Sequence, residues 1–133
     1  MFKISPASNE SERRTAADAC GVPLIDGSFI YRMTDAEDGH LLGMSQFEIT
    51  ASGGVLYHLR EIPDGHDFEA MFILGRATMN FVDLCGTHTM RAASAASDGS
   101  DGSLLRALGF KEFDGSLIAD LTGMFDGHCG GHK

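Results

Sequence analysis

The sequence is poor in basic residues, and it does not concentrate the few that it has. Its 133 residues include 19 Asp and Glu against 10 Lys and Arg, which gives a formal net charge of −9. A surface field of this sign repels phosphate backbones, and no Lys/Arg cluster offers a local exception. We therefore expect no nucleic acid among the partners.

Long apolar stretches are also missing. No apolar segment approaches the roughly 20 residues that span a bilayer. The N-terminus does not join a basic region to an apolar run, which is the pattern of a targeting segment. We therefore expect no membrane association and a cytoplasmic location.

Cysteine is scarce as well. Cys20, Cys85 and Cys129 are an odd number without a closely spaced pair, which is not the pattern of a disulfide framework. We interpret all three as reduced thiols. Cys85, near the end of a predicted helix, is expected to be buried, and Cys129 to be exposed and more reactive.

What the sequence does contain predicts one α+β domain over residues 1–126. In chain order it reads as a strand, an amphipathic helix that ends before Gly21, a three-stranded antiparallel meander, a long helix, a strand, a short helix and a strand pair. The segments are FKIS, SNESERRTAADAC, GSFIYRMTD, LLGMSQFEIT, GGVLYHLREI, DFEAMFILGRATMNFVDLCG, THTMRAAS, SLLRALGF and KEFDGSLIADLTGMF. Residues 127–133 form a tail rich in glycine and histidine.

The long helix is apolar around most of its circumference. At 100° per residue its polar side chains fall on one narrow line, namely Glu69, Arg76, Asn80 and Asp83. This line is either a solvated strip with local ion pairs or the wall of a polar cleft. The remaining apolar surface exceeds what one small sheet can cover, so we predict a homodimer.

The tail GHCGGHK contains ligand types suited to zinc, copper or nickel. His128, Cys129 and His132 could act with a distant residue, but the adjacent His128 and Cys129 have poor chelate spacing. A solvated tail is the alternative that we favour, so no metal site is assigned.

The order of elements resembles that of the Gcn5-related N-acetyltransferase superfamily. The motifs that carry the resemblance are the Leu-Leu-Gly that opens LLGMSQFEIT and the Leu-Gly-Phe within LLRALGFKEF. The blocks EAMFILGRATMNFVDLCG and LGFKEFDG are similar to those of a small divergent branch. The resemblance implies an acyl-CoA N-acyltransferase fold, with a mixed, mostly antiparallel sheet and a long central helix.

The resemblance also implies a function, namely transfer of an acetyl group from acetyl-CoA to an amine. It implies a base near the fourth strand, for which Glu61 is the best-placed candidate, with Tyr57 on the same face of that strand. It further implies that backbone amides at the start of the long helix, around Gly65, His66 and Asp67, hold the CoA pyrophosphate.

The turn before the long helix favours a second hypothesis. The family has a glycine-rich turn there, whereas EIPDGHDFEA places Asp64, Asp67 and Glu69 where phosphates would lie. These acids complement the helix dipole themselves, so phosphate would compete with them. The alternative is therefore a non-catalytic binding or metal-responsive module that kept the fold and lost the cofactor loop.

Overall fold

The computed structural model describes residues 1–93 and 102–125. The elements in these residues are β1 (Phe2–Pro6), α1 (Glu10–Ala19), β2 (Phe29–Asp35), β3 (Leu41–Thr50), β4 (Gly53–Glu61), α2 (Phe68–Leu84), β5 (Thr89–Ala92), α3 (Gly102–Leu108), β6 (Lys111–Phe113) and β7 (Ser116–Asp120). They confirm the predicted α+β element order. The predicted tail at 127–133 lies outside the described residues.

The strands form one sheet in the order β1-β2-β3-β4-β5-β7-β6. Among the described strands only β4 and β5 pair in parallel, and every other pair is antiparallel. This arrangement confirms the mixed, mostly antiparallel sheet. The parallel pair requires a crossover connection, which α2 provides.

Helix α1 covers one face of the sheet, here called the α1 face. Asn9 caps it by accepting a hydrogen bond from the Glu12 amide at 2.9 Å, and Gly21, with φ of 72°, ends it. Ala16, Ala17 and Cys20 pack with Ile30 and Met44 in a small buried cluster. The helix is short, and its cluster includes only residues of β2 and β3 from the sheet.

Helix α2 covers the opposite face, here called the α2 face, together with α3. The main core lies between these helices and the sheet and includes Met33, Phe47, Leu56, Leu59, Met71, Leu74, Met79, Leu105 and Leu108. A Cβ atom on Gly75 would lie 2.6 Å from Cδ1 of Leu108. Glycine at this position therefore allows α3 to lie close against α2.

The polar line of α2 contacts the residues that follow the helix. Asp83 Oδ1 lies 2.6 Å from Nδ1 of His88, and the guanidinium carbon of Arg76 lies 4.7 Å from the ring centroid of Phe125. Arg76 and Asp83 are half-buried, whereas Glu69 is exposed. The polar line of α2 is thus a partly buried strip whose described contacts are with His88 and Phe125 of the same chain.

The prediction for Cys85 was wrong. Cys20 is buried, but Cys85 is exposed, because it is the C-terminal cap of α2 and lies beyond the last turn that packs on the sheet. Within the described residues, no helix combines the length and apolar character that a membrane span needs.

Candidate functional site

In the part of the chain that the structure describes, the pairing of β4 with β5 is short. The two strands pair only from Gly54 to Leu56, against Met90 to Ala92, and the Ala93 amide adds one further hydrogen bond to the Leu56 carbonyl at 2.9 Å. Beyond Leu56, no described strand pairs with this edge of β4. We call this stretch of β4, beyond its last described pairing with β5, the opening between β4 and β5.

A β-bulge in β4 lies directly after Leu56. Gln46 pairs with His58 and Phe47 pairs with Leu56, so Tyr57 is an extra residue in β4. A bulge bends its strand and increases the local twist. The bulge therefore bends β4 directly after Leu56, its last residue paired with β5 among the described residues.

A cavity of about 490 Å³ lies at the C-terminal end of β4, and we call it the β4 cavity. Its lining combines the end of α1, the end of β4, the turn that follows, and the starts of α2 and α3. The polar or titratable lining residues are Cys20, Arg60, Glu61 and His66, and the apolar ones include Leu59, Met71 and Leu104. Two predicted site residues, Glu61 and His66, therefore line the same cavity.

The backbone amides of the turn are largely engaged within the protein. The Gly65 amide donates to the Ile62 carbonyl at 2.9 Å, and the Asp67 amide donates to Oε2 of Glu61 at 2.7 Å. The Asp67 side chain in turn accepts from the Ala70 amide at 3.0 Å. Carboxylates of the protein itself thus accept hydrogen bonds from the Asp67 and Ala70 amides at the start of α2.

Cys20 is a member of this cavity that the sequence did not reveal as a site residue. Burial raises the pKa of its thiol to about 11, against the opposing effect of the Arg60 charge. The thiol is therefore protonated at neutral pH. Only the packing of α1 on the sheet brings Cys20 to the end of β4, so no local signal in the sequence could have shown it.

Tyr57 does not share a face with Glu61, contrary to the prediction. Its hydroxyl donates to Oε1 of Glu48 at 2.7 Å on the α1 face, whereas Glu61 bonds to the start of α2 on the opposite face. Strict alternation along β4 would have placed both together, but the bulge at Tyr57 adds one residue and reverses the alternation. The hydrogen bond to Glu48, followed by burial, raises the pKa of Tyr57.

His58, the residue after the bulge, belongs to a buried hydrogen-bond network. Oε1 of Gln46 accepts from the Ile25 amide at 2.8 Å, which fixes the orientation of the side-chain amide. Nε2 of Gln46 therefore donates to Nδ1 of His58 at 2.9 Å. In this arrangement Nδ1 of His58 carries no proton, so the imidazole is neutral with its proton on Nε2.

We expect the protein to lose stability on acidification because of His58. Burial, aided by the Arg60 charge, lowers the pKa of His58 from its ordinary value of 6.5. Below pH 6.5 His58 becomes protonated in the unfolded chain, whereas in the folded protein it stays neutral to a lower pH. Stability present above that pH is therefore lost as the pH falls through the folded pKa. Urea unfolding at several pH values between about 5 and 8, compared with His58→Gln, measures this contribution.

His40 provides the control for this experiment. Its hydrogen bond to Asp38 raises the pKa of the exposed His40, so any contribution from it is present at low pH and lost as the pH rises. His40→Gln should therefore leave the loss on acidification in place. An equal acid loss in wild type and His58→Gln would contradict the prediction.

A group of metal-ligand types occurs in the turn between β2 and β3. Ligand atoms of Asp35, Asp38 and His40 lie within 4.8 Å of one another, the only such group in the described residues. Local turn bonds account for it, because Asp35 accepts from the Glu37 amide and Asp38 accepts from the His40 amide. The predicted metal alternative involving Cys129 lies outside the described residues.

Comparison with known proteins identifies the fold. No protein-family model and no curated sequence matches the chain. The structure is similar to that of YhhK from E. coli, a proposed N-acetyltransferase solved bound to coenzyme A, with a TM-score of 0.65, 16% identity, and coverage of 90% of this chain and 98% of that one. It is also similar to the ribosomal-protein-S18-alanine N-acetyltransferase from Escherichia coli, with a TM-score of 0.69, 13% identity, and coverage of 91% and 94%.

These similarities confirm the fold that the resemblance implied. The chain has the Gcn5-related N-acetyltransferase fold, and the similarity extends over nearly the whole length of both neighbours. At identities of 13–16%, these similarities establish the fold but not the reaction or its catalytic residues. The roles of Glu61, Tyr57, Gly65, His66 and Asp67 remain predictions.

Proposed function

We propose that the protein is an acyl-CoA-dependent N-acyltransferase that transfers an acetyl group from acetyl-CoA to an amine. The observation that supports this function best is the opening between β4 and β5 beyond Leu56. The pantetheine arm of CoA is an extended chain with two amide groups. Such a chain can hydrogen-bond to the edge of β4 beyond Leu56 as an added strand does.

The proposed reaction requires a base and an acid. The amine nitrogen bonds to the acyl carbon and the carbon–sulfur bond breaks; the amine proton goes to Glu61, and the leaving thiolate takes a proton from Tyr57. Oε2 of Glu61 accepts from Asp67, so the base role falls to Oε1. Tyr57 carries the proton that the acid role needs at neutral pH, because the hydrogen bond to Glu48 and burial raise its pKa.

The separation of these two residues restricts the mechanism. Four residues of strand at about 3.3 Å each place their Cα atoms about 13 Å apart, and their side chains lie on opposite faces of the sheet. The two groups therefore do not contact the same reacting atom. With Tyr57 beside the leaving thiolate, a chain of water molecules would carry the amine proton to Glu61.

A non-catalytic binding module is the second candidate function. It is favoured by the start of α2, where the amides of Gly65, Asp67 and Ala70 donate to groups of the protein itself. Pyrophosphate would have to displace these bonds and approach the carboxylates of Glu61 and Asp67. The acidic turn therefore weakens CoA binding under either function.

Calorimetric titration with acetyl-CoA tests the proposal. We expect weak binding by the wild type and tighter binding by an Asp64→Asn, Asp67→Asn double variant, because like charges near the phosphates cost on the order of 1 kcal/mol or more. The gain should be about fivefold or larger. Asn at position 67 keeps a side-chain oxygen for the Ala70 amide, so helix capping is retained.

The matched control removes two acids elsewhere. Asp26→Asn with Glu37→Gln makes the same charge change at exposed positions and should leave binding unchanged. Where acetyl-CoA binds, transfer to an amine should fall by about 10²-fold or more in Glu61→Gln if Glu61 is the base. Absence of acetyl-CoA binding in both the wild type and the double variant would reject the proposed function and leave the binding module.

The homodimer is also still a prediction. Several apolar side chains of α2 are exposed, and the relative exposures are 52% for Phe68, 38% for Ile73 and 76% for Leu84. They provide apolar surface that a second copy could cover. Sedimentation showing a monomer at high micromolar concentration would count against the dimer.

A further inference from the structure

A cavity of about 700 Å³ lies at the β1 side of the sheet, and we call it the aromatic cavity. A volume of this size is typical of sites that hold small organic ligands. Its lining comes from the end of β1, the starts of α1 and β2, the loop before β2, the middle of β3 and the last turn of α2. None of its lining residues lines the β4 cavity, and three steps in the sheet order separate β2 from β5, which precedes residues 94–101. The aromatic cavity is therefore separate from the site proposed for acyl transfer.

Four aromatic side chains line this cavity, namely Phe29, Tyr31, Phe47 and Phe81. Phe29 and Tyr31 are two residues apart in β2, and Phe29 is paired with Phe47 of β3, so all three lie on one face of the sheet. Phe29 and Tyr31 each contact the rings of Phe47 and Phe81, with centroids 5.6 to 5.7 Å apart. Strand register and helix packing thus hold the rings in place.

Phe29 is the member of this aromatic cluster that solvent reaches most. Phe47 is fully buried beneath it, whereas Phe29 keeps a relative exposure of 47% although two rings contact it. A side chain that is already fixed by its neighbours loses little conformational entropy when a ligand binds. Phe29 therefore provides a preformed aromatic contact surface in the cavity.

The charged residues of the lining favour a cationic ligand. Glu10 and Asp26 line the cavity together with one basic residue, Arg13. The Arg13 guanidinium is engaged within the protein, because Nη1 donates to the Ser28 carbonyl at 2.7 Å, Nη2 donates to the Ile25 carbonyl at 3.1 Å, and Nε lies 3.4 Å from Oε1 of Glu10. An anion would have to displace these bonds, whereas a cation would not.

The C-terminal end of α2 adds to the negative potential. The last carbonyl groups of a helix carry a partial negative charge, and the last turn of α2, which includes Phe81, has no basic residue. Tyr31 lies near this helix end: burial raises the pKa of Tyr31, and the nearby Cys85, the C-terminal cap of α2, adds to that shift. The aromatic cavity therefore lies beside a negative helix end, in a chain whose formal net charge is −9.

We propose that the aromatic cavity binds a small organic cation with a fully alkylated ammonium group. Aromatic rings attract a cation, and their apolar surface contacts its alkyl groups. The two lining acids and the end of α2 favour the same charge. A fully alkylated ammonium has no N–H and no lone pair on nitrogen, so it cannot accept an acyl group. The inference therefore goes beyond the proposed acyl transfer and does not depend on it.

Choline and its neutral carbon analogue, neohexyl alcohol, test the role of the charge. The two molecules have the same shape, and they differ only in that carbon replaces the positively charged nitrogen. Calorimetric titration of the wild type should show choline binding about tenfold tighter than neohexyl alcohol. In the choline complex, NMR should show Overhauser contacts between the choline methyl protons and the ring protons of Phe29 or Tyr31.

Variants of Phe29 separate the aromatic ring from its apolar volume. Phe29→Leu keeps an apolar side chain and should reduce the tenfold preference for choline to about twofold, whereas Phe29→Tyr keeps a ring and should retain the preference. Phe113→Leu removes an exposed phenylalanine at the β6 edge, the opposite edge of the sheet, and should have no effect.

Four results would overturn the inference. They are equal binding of the two probes by the wild type, an undiminished preference for choline in Phe29→Leu, absence of choline binding at millimolar concentration, and absence of Overhauser contacts to the Phe29 and Tyr31 rings. The Overhauser measurement uses only the wild type, so it decides the matter even if Phe29→Leu does not fold.

Discussion

Replacing Gln46 by Leu is expected to lower the free energy of unfolding by about 3 kcal/mol or more. The side chain is fully buried. Its Oε1 accepts from the Ile25 amide and the Ser28 hydroxyl, and its Nε2 donates to the Pro23 carbonyl and to Nδ1 of His58. Leucine has a similar volume but no polar atoms, so the partners would lose these hydrogen bonds. Urea unfolding at pH 8, with the m-value compared between variants, measures the loss.

Substitution of Gln46 by Glu separates the loss of hydrogen bonds from the loss of packing. Glutamate retains an oxygen for the Ile25 amide but places a second oxygen opposite Nδ1 of His58, where a donor is now required. Protonation of His58 supplies that donor and forms an ion pair. The variant should therefore be less destabilised relative to wild type at about pH 5.5 than at pH 8. A loss for Gln46→Leu below about 1 kcal/mol would show that this network contributes little.

Replacing Phe47 by Ala is expected to cost about 3–5 kcal/mol. The ring is fully buried and packs against Phe29, Tyr31 and Phe81, with ring centroids 5.6 to 5.8 Å apart. Alanine removes the apolar contacts, and the surrounding rings, held by β2 and α2, would close the resulting cavity only in part. Such a loss is a large fraction of the roughly 5–15 kcal/mol that stabilises a typical domain.

Two further variants accompany Phe47→Ala in the same unfolding experiment. Phe113→Ala removes a phenylalanine that is 70% exposed and should change stability by no more than about 0.5 kcal/mol. If Phe47→Ala does not fold, Phe47→Leu keeps most of the volume and should cost about 1.5 kcal/mol or less. Similar losses for Phe47→Ala and Phe113→Ala would contradict the structural role assigned to the aromatic cluster.

The elements whose signals are local could be predicted from the sequence. The apolar periodicity from 67 to 86 predicted the long helix, which runs from Phe68 to Leu84. The caps Asn9 and Asp67 likewise depend on neighbouring residues. Glu61 and His66 line one cavity because both lie where β4 ends, and this proximity is also local.

Contacts between distant segments could not be predicted in this way. The bulge at Tyr57 arises from the register between β3 and β4, and strict alternation therefore placed Tyr57 on the wrong face. Cys20 reaches the β4 cavity through the packing of α1, and Cys85 is exposed because α2 extends past the part of the sheet that it covers. None of these outcomes has a signal within a few residues of the position concerned.

The sequence by itself determined the order and type of the elements and the acidic character of the turn before α2, because periodicity, capping and charge act within a few residues. The tertiary structure alone decided which side chains from distant segments share a site. The face of β4 on which Tyr57 lies and the thiol of Cys20 in the β4 cavity both depend on strand register and helix packing. These contacts join segments far apart in the chain, and the energies that select them arise only when the whole domain packs.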